Sequence, residues 1–182
     1  MQHMKLIKSI LLIISIFLIT SCSDNSSMKP EDFKNKEPRL IIEEYLTGNV
    51  KAWGVLQNRS GKVTRQFSAD LNGTWDGKQL ILKEKFNWDD GEVQDREWTI
   101  NKIDEHNYEG TAGDVVGKAI GYSYGPAFKF EYVLLVPVKG RELKITFDDW
   151  IFKQDEKVAI NRATMTKFGF KVAELTVVFI KD

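Results

Sequence analysis

The chain has little of the side-chain chemistry on which most enzymes depend. Its 182 residues contain 1 cysteine and 2 histidines. A lone thiol excludes a disulfide within the chain and any cysteine-rich metal centre. His3 lies in an N-terminal leader, so His106, in the turn-like stretch Asp104-Glu105-His106-Asn107, is the single imidazole of the remainder. That excludes Cys/His nucleophilic pairs and histidine-rich zinc sites; His106 reads as a solvated turn residue, with a functional role as the alternative. An excess of positive charge is missing as well. Basic and acidic residues number 26 each, and loss of Lys5 and Lys8 with the leader leaves 24 against 26, a formal charge of −2. No nucleic-acid partner, cofactor or metal is expected on these grounds.

What is present begins with a targeting segment. Lys5 and Lys8 precede an apolar run from Ile10 to Ile19, interrupted by Ser15, and the run ends in Leu18-Ile19-Thr20-Ser21-Cys22. A basic start, an apolar stretch and small residues before a cut site make a secretory leader. A run of about ten residues is half of what a bilayer core requires, so residues 1–21 are read as cleaved. The last residues resemble the bacterial lipobox, in which the cysteine receives diacylglycerol before cleavage. Small Thr20 and Ser21 admit a peptidase, and only a thiolate supplies the nucleophile. Cys22 is therefore the lipidation site, and the partner it implies is a membrane; an ordinary leader or an uncleaved anchor is the alternative. Asp24 stands one place later than the aspartate that holds such lipoproteins in the inner membrane, so the outer membrane, facing the periplasm, is the expected location.

Residues 22–38 are rich in Ser, Asn, Lys and Asp and carry Pro30 and Pro38, the composition of a flexible tether. Residues 39–182 form a single domain by length. Leu40, Ile41, Ile42, Tyr45 and Leu46 predict a short helix ended by Gly48. Beyond Asn49 the pattern has period two, broken by turn signals at Asn58 to Gly61, Asp76-Gly77, Asp89 to Gly91, Asp104 to Asn107, Gly117 to Gly125, Lys139-Gly140 and Asp155-Glu156. These delimit eight to ten strands. An all-β fold follows, an antiparallel up-and-down, lipocalin-like β-barrel that abolishes edge strands, with a sandwich as the alternative.

The turns also predict which residues share a face. A two-residue turn at Asp76-Gly77 sets Leu71 opposite Leu82, Ala69 opposite Glu84 and Phe67 opposite Phe86. A three-residue loop at Asp89 to Gly91 sets Leu82 opposite Trp98 and Glu84 opposite Arg96. A four-residue loop at Asn58 to Gly61 adds Leu56 opposite Val63 and Ala52 opposite Phe67. One face thereby collects apolar residues, among them Val63, Phe86, Trp88 and Trp98, together with Arg65, Glu84 and Arg96. Glu84 and Arg96 form a ready ion pair, and Arg65 is left near Phe86 and Trp88 without a partner. An apolar lumen with a spare cation suits the head of a fatty acid or other lipid. A filled lumen, or a one-residue slip that turns all three outward, is the alternative.

In the second half, the Lys139-Gly140 hairpin brings Tyr132 or Phe130 opposite Asp149, whereas Asp148 points to the other face. Asp89-Asp90 reads as turn chemistry. The stretch from Gly110 to Gly117 lacks the lysine and helix of a phosphate loop, so its glycines are read as strand bends. The candidate ligand-binding residues are Arg65, Glu84, Trp88, Arg96, Trp98, Tyr132 and Asp149. Catalysis, the third reading, requires Asp149, Tyr132 or Asn161 to converge in an open pocket.

The run Val50-Lys51-Ala52-Trp53-Gly54-Val55-Leu56, the stretch Asp90-Gly91-Glu92 followed by Arg96 and Trp98, Phe147-Asp148-Asp149-Trp150, and Asn161-Arg162-Ala163-Thr164-Met165 in that order resemble the lipoproteins of the domain-of-unknown-function family three-eight-three-three. The resemblance spans nearly all of the chain after the tether. It implies a Gram-negative envelope lipoprotein, in the company of fatty-acid-modifying enzymes, with no catalytic residues to carry over. True lipocalins are a fainter match, since their Gly-x-Trp appears here in the order Trp53-Gly54. Cys22→Ser is expected to keep the leader and to lack the acyl mass in an intact-mass measurement; unchanged processing of the variant would overturn the lipidation reading.

Overall fold

The structure is a computed structural model that describes residues 27–138 and 140–182. The leader, Cys22, the start of the expected tether and Lys139 lie outside the described residues. Ten strands follow one another: β1 (Gly48–Asn58), β2 (Val63–Trp75), β3 (Gln79–Trp88), β4 (Val93–Lys102), β5 (Asn107–Ala112), β6 (Ala119–Tyr124), β7 (Ala127–Val138), β8 (Arg141–Lys153), β9 (Val158–Lys167) and β10 (Phe170–Lys181). Each pairs antiparallel with the next, and β10 returns to β1. The fold is thus a closed up-and-down barrel and not the alternative sandwich. Its strands alternate as the sequence implies; along β2, Phe67, Ala69 and Leu71 point inward between exposed neighbours.

Strand register departs from expectation by two residues at two hairpins. In β2–β3, Leu71 lies opposite Glu84, Ala69 opposite Phe86 and Phe67 opposite Trp88. The connection is longer than a two-residue turn, because the Asp76 carboxylate accepts hydrogen bonds from the backbone N–H of Lys78 and Gln79 and so organises a wider loop. In β1–β2, Ala52 faces Ala69 and Leu56 faces Arg65, with a bulge after Leu56. That bulge removes Val63 from the inner face and leaves it 44% exposed. A shift of two preserves the face of every other residue, so the inward set survives. The β3–β4 ladder has Leu82 opposite Trp98 and Glu84 opposite Arg96, as the three-residue loop implies.

A short helix, α1 (Ile42–Leu46), closes one end of the barrel. Five residues are far below the length at which a helix persists alone, so tertiary contacts must hold it. Ile42, Tyr45 and Leu46 are buried. The Lys181 ammonium at the end of β10 donates to the carbonyls of Glu44, Tyr45 and Thr47, satisfying groups the helix leaves open. Buried Glu43 accepts from the Lys102 ammonium and the Tyr108 hydroxyl, the latter at 2.9 Å. The stretch read as a free tether differs in its described part. Pro30–Phe33 forms a 3₁₀ turn, and the Phe33 ring packs against Phe152 at 5.5 Å and Trp150 at 6.0 Å. One aromatic side chain in a polar segment is enough to dock it.

Several inward glycines exist to admit neighbours. A Cβ at Gly54 would collide with the ring of Phe67 directly opposite, and one at Gly110 with the ring of Phe130. Gly110 is therefore a seat for an aromatic ring rather than a strand bend. At Gly73 the obstacle is the backbone carbonyl of Leu46 in α1, which cannot rotate away. Gly73→Ala is expected to cost about 2 kcal/mol or more in a urea titration, by forcing α1 off the barrel. Gly113→Ala, where nothing lies within reach, should stay within about 0.5 kcal/mol.

Candidate functional site

The barrel encloses a cavity of about 450 Å³ that runs from α1 toward the opposite end. Ile42 and Leu46 of α1 form its floor with Leu71 and Ile100, and Trp88, Glu92 and Gln94 stand at the far end. Aromatic rings make up much of the wall. Trp98 meets Phe130 at 5.2 Å and Tyr132 at 5.3 Å, and Phe67 meets Trp88 at 4.9 Å and Phe86 at 5.2 Å. All seven candidate residues, Arg65, Glu84, Trp88, Arg96, Trp98, Tyr132 and Asp149, line this space.

Arg96 lies opposite Glu84 in the ladder, as the sequence implies, and the two form an ion pair at 3.9 Å, beyond hydrogen-bond length. The guanidinium instead donates to Asp114, from Nε at 3.1 Å and Nη2 at 2.8 Å. Asp114 belongs to the connection between β5 and β6, which folds onto β7 through the Val116 N–H to the Val133 carbonyl and the Leu135 N–H to the Asp114 carbonyl. No local pattern in the sequence places that loop, so the Arg96–Asp114 pair is legible only in the structure. Glu84 keeps one oxygen, Oε2, with no hydrogen-bond partner.

Arg65 is not a spare cation. Its Nη2 donates to Asp90 and to Glu92, both at 2.8 Å, and its plane lies over Trp88 at 4.0 Å. The cause is the two-residue shift in β2–β3. In the expected register Arg65 would face Trp88; in the observed one it lies beyond the last pair, Phe67 with Trp88, beside the turn that carries Asp90. Asp90 also holds that turn by accepting the Glu92 N–H at 3.1 Å.

A second node lies deeper. Phe130, not Tyr132, is opposite Asp149 in the β7–β8 ladder, and the Tyr132 hydroxyl reaches diagonally to Asp149 Oδ2 at 2.8 Å. Asn161 on β9 donates to the other oxygen, Oδ1, and to the Trp150 carbonyl. The three residues that catalysis would require do converge in the cavity. Both Asp149 oxygens already accept, so the carboxylate anchors Tyr132 and Asn161. Burial raises its pKa to about 6, against the lowering effect of those two donors, and burial holds the Tyr132 hydroxyl well above its ordinary range, protonated and donating. Burial likewise raises Glu84 to about 7, with Arg96 pulling the other way and Asp149 and Asp114 adding to the rise. His106 is elsewhere: its Nδ1 lies 2.8 Å from the Ser123 carbonyl and its ring stacks on Tyr124. Among the described residues no group of three His, Cys, Asp or Glu is arranged to hold a metal ion.

The family described as "Protein of unknown function (DUF3833)" matches residues 16–181. No curated protein matches the sequence. Among solved structures the chain is similar to an S-type phycobiliprotein lyase from Guillardia theta, with a TM-score of 0.59 and 9% identity over 86% of this chain and 98% of that one. It is also similar to a protein of unknown function of the DUF3598 family from Nostoc punctiforme, with a TM-score of 0.60 and 15% identity, covering 81% of this chain and 51% of that one. At these identities the likeness is one of fold.

The Glu84 carboxyl makes stability depend on pH. Its folded pKa, about 7, exceeds the ordinary 4.5, so the protonated form favours the fold. That contribution is complete below about pH 4.5 and is lost as pH rises through 7, on the order of 3 kcal/mol in all. Asp149 acts in the same direction up to about pH 6. Urea unfolding of the parent should therefore weaken between pH 5 and 8. Glu84→Gln should flatten that slope and be the more stable protein at pH 8; equal slopes would sink the burial account.

Proposed function

The chain belongs to the DUF3833 family, and on that footing we propose that its barrel holds a hydrophobic, lipid-like ligand in the lumen. The observation that carries this reading is the cavity of about 450 Å³, walled by aromatic and aliphatic side chains and stopped at one end by α1. Protein cores pack without voids of that size, and pockets for small ligands begin at roughly 300 Å³. A barrel serving only as a structural module would gain stability by filling the space. Binding is favoured over catalysis because Asp149, the best-placed carboxylate, is held by Tyr132 and Asn161.

The setting proposed for this activity is the cell envelope. The support is the leader and Cys22, which would tether the domain to a membrane, with an outer-membrane position facing the periplasm read from Ser23 and Asp24. Two acyl chains or more would make that anchoring stable, since each buried methylene adds about 0.8 kcal/mol. A lipid carrier or scavenger held beside its ligand's source is the function that this combination serves.

Native mass spectrometry of the protein purified from cells tests the binding reading. Retained adducts in the mass range of a single lipid are expected, or stoichiometric uptake of an added long-chain alkyl compound. A protein that carries no adduct and takes up none of a panel of alkyl alcohols, amines and acids would count decisively against it.

A further inference from the structure

Resting on the reading of the lumen as a ligand site, we propose that the ligand's polar end is a hydrogen-bond-donating cation, such as an amine, and not a carboxylate or a phosphate. Among the described residues, the charges that line the cavity are two guanidiniums, Arg65 and Arg96, and four carboxylates, Glu84, Glu92, Asp114 and Asp149, with no lysine. Each guanidinium is outnumbered at its own position. Arg65 is shared between Asp90 and Glu92, and Arg96 between Asp114 at 2.8 Å and Glu84 at 3.9 Å. An anionic head would meet a single unpartnered donor, Arg65 Nε, on a guanidinium that Asp90 and Glu92 already hold.

Two acceptors, in contrast, are without donors. Glu84 Oε2 and Asp114 Oδ1 are buried and have no hydrogen-bond partner, and both belong to carboxylates that flank the same guanidinium. Buried acceptors of this kind cost free energy until something donates to them. An ammonium offers three donors and one positive charge, which would satisfy these oxygens and offset the carboxylate excess. An anion would have to take Arg96 from Asp114, leaving a partly buried carboxylate with neither that cation nor its hydrogen bonds. A hydroxyl offers one donor and no charge, and so stands between the two. Glu84 and Asp114 both line the cavity beside Arg96, and the lining also includes Leu82, Ile100 and, from α1, Ile42 and Leu46, an apolar surface for the ligand's body.

The test is a matched series of dodecylamine, dodecanol and dodecanoate, each kept below its micelle concentration, titrated at pH 8 into the purified protein. Tryptophan fluorescence provides the signal, since Trp88 and Trp98 line the cavity, with native mass spectrometry for stoichiometry. The amine should bind at least tenfold more tightly than the acid, with the alcohol between them. In Glu84→Gln and in the Glu84→Gln, Asp114→Asn double variant the preference should shrink severalfold, while retained dodecanol binding shows that the lumen is intact. Dodecanoate binding as tightly as the amine, or a preference unchanged in the double variant, overturns the head-group inference and leaves the lumen reading standing. Failure of all three probes to bind overturns the lumen reading, and the inference with it.

Discussion

Closure of the ladder between β1 and β10 is the constraint from which the rest of this protein follows. Once the last strand pairs with the first, no edge remains, and one face of every strand must look into a common interior. A barrel of about eight strands is just filled by its own side chains. Ten strands enclose more than side chains occupy, even with rings as large as Trp98, Phe130 and Phe147 turned inward. The cavity is in that sense a consequence of strand number. The same closure makes α1 necessary, because a tube must be stopped at one end if its core is to stay dry. Gly73 and Lys181 show how closely the plug is fitted, the first by having no side chain under the Leu46 carbonyl, the second by donating to the helix's open carbonyls.

Polar groups placed inside such a wall behave differently from those on a surface. Arg65 and Arg96 reach inward with apolar neighbours on most sides, and each is held by carboxylates drawn from turns and loops rather than from the wall itself. Glu84, by contrast, comes from the wall and is left partly unanswered. That distribution turns a lumen that the sequence presents as cationic into one dominated by acceptors. It changes the charge balance of the lumen, while leaving the apolar character of the space unaltered.

How much of this was legible beforehand depended on the range of the interaction. Alternation along β2, β7 and β8 is read residue by residue, and it survives errors in turn length because a shift of two returns each side chain to its face. Hence Phe67, Leu71, Leu82 and Glu84 face inward as the alternation implies, although their partners across β2–β3 are displaced by two. Val63 was lost because a bulge, unlike a shift of two, reverses the face. The diagonal bond from Tyr132 to Asp149 and the contribution of Asn161 from a third strand needed coordinates, since the Lys139-Gly140 turn left two pairings open.

By itself, then, the sequence determined the all-β class, the succession of strands, the inward face and the expectation of a lipid anchor at Cys22, because each rests on periodicity or on a motif a few residues long. The tertiary structure decided which charges answer which. Asp114 reaches Arg96 because a loop lies down on β7, Asp90 reaches Arg65 because one hairpin is wider than its shortest form, and Phe33 docks on Phe152 on the outer face of the barrel. Those contacts join residues far apart in the chain, and their geometry is set only when the ring of strands is closed.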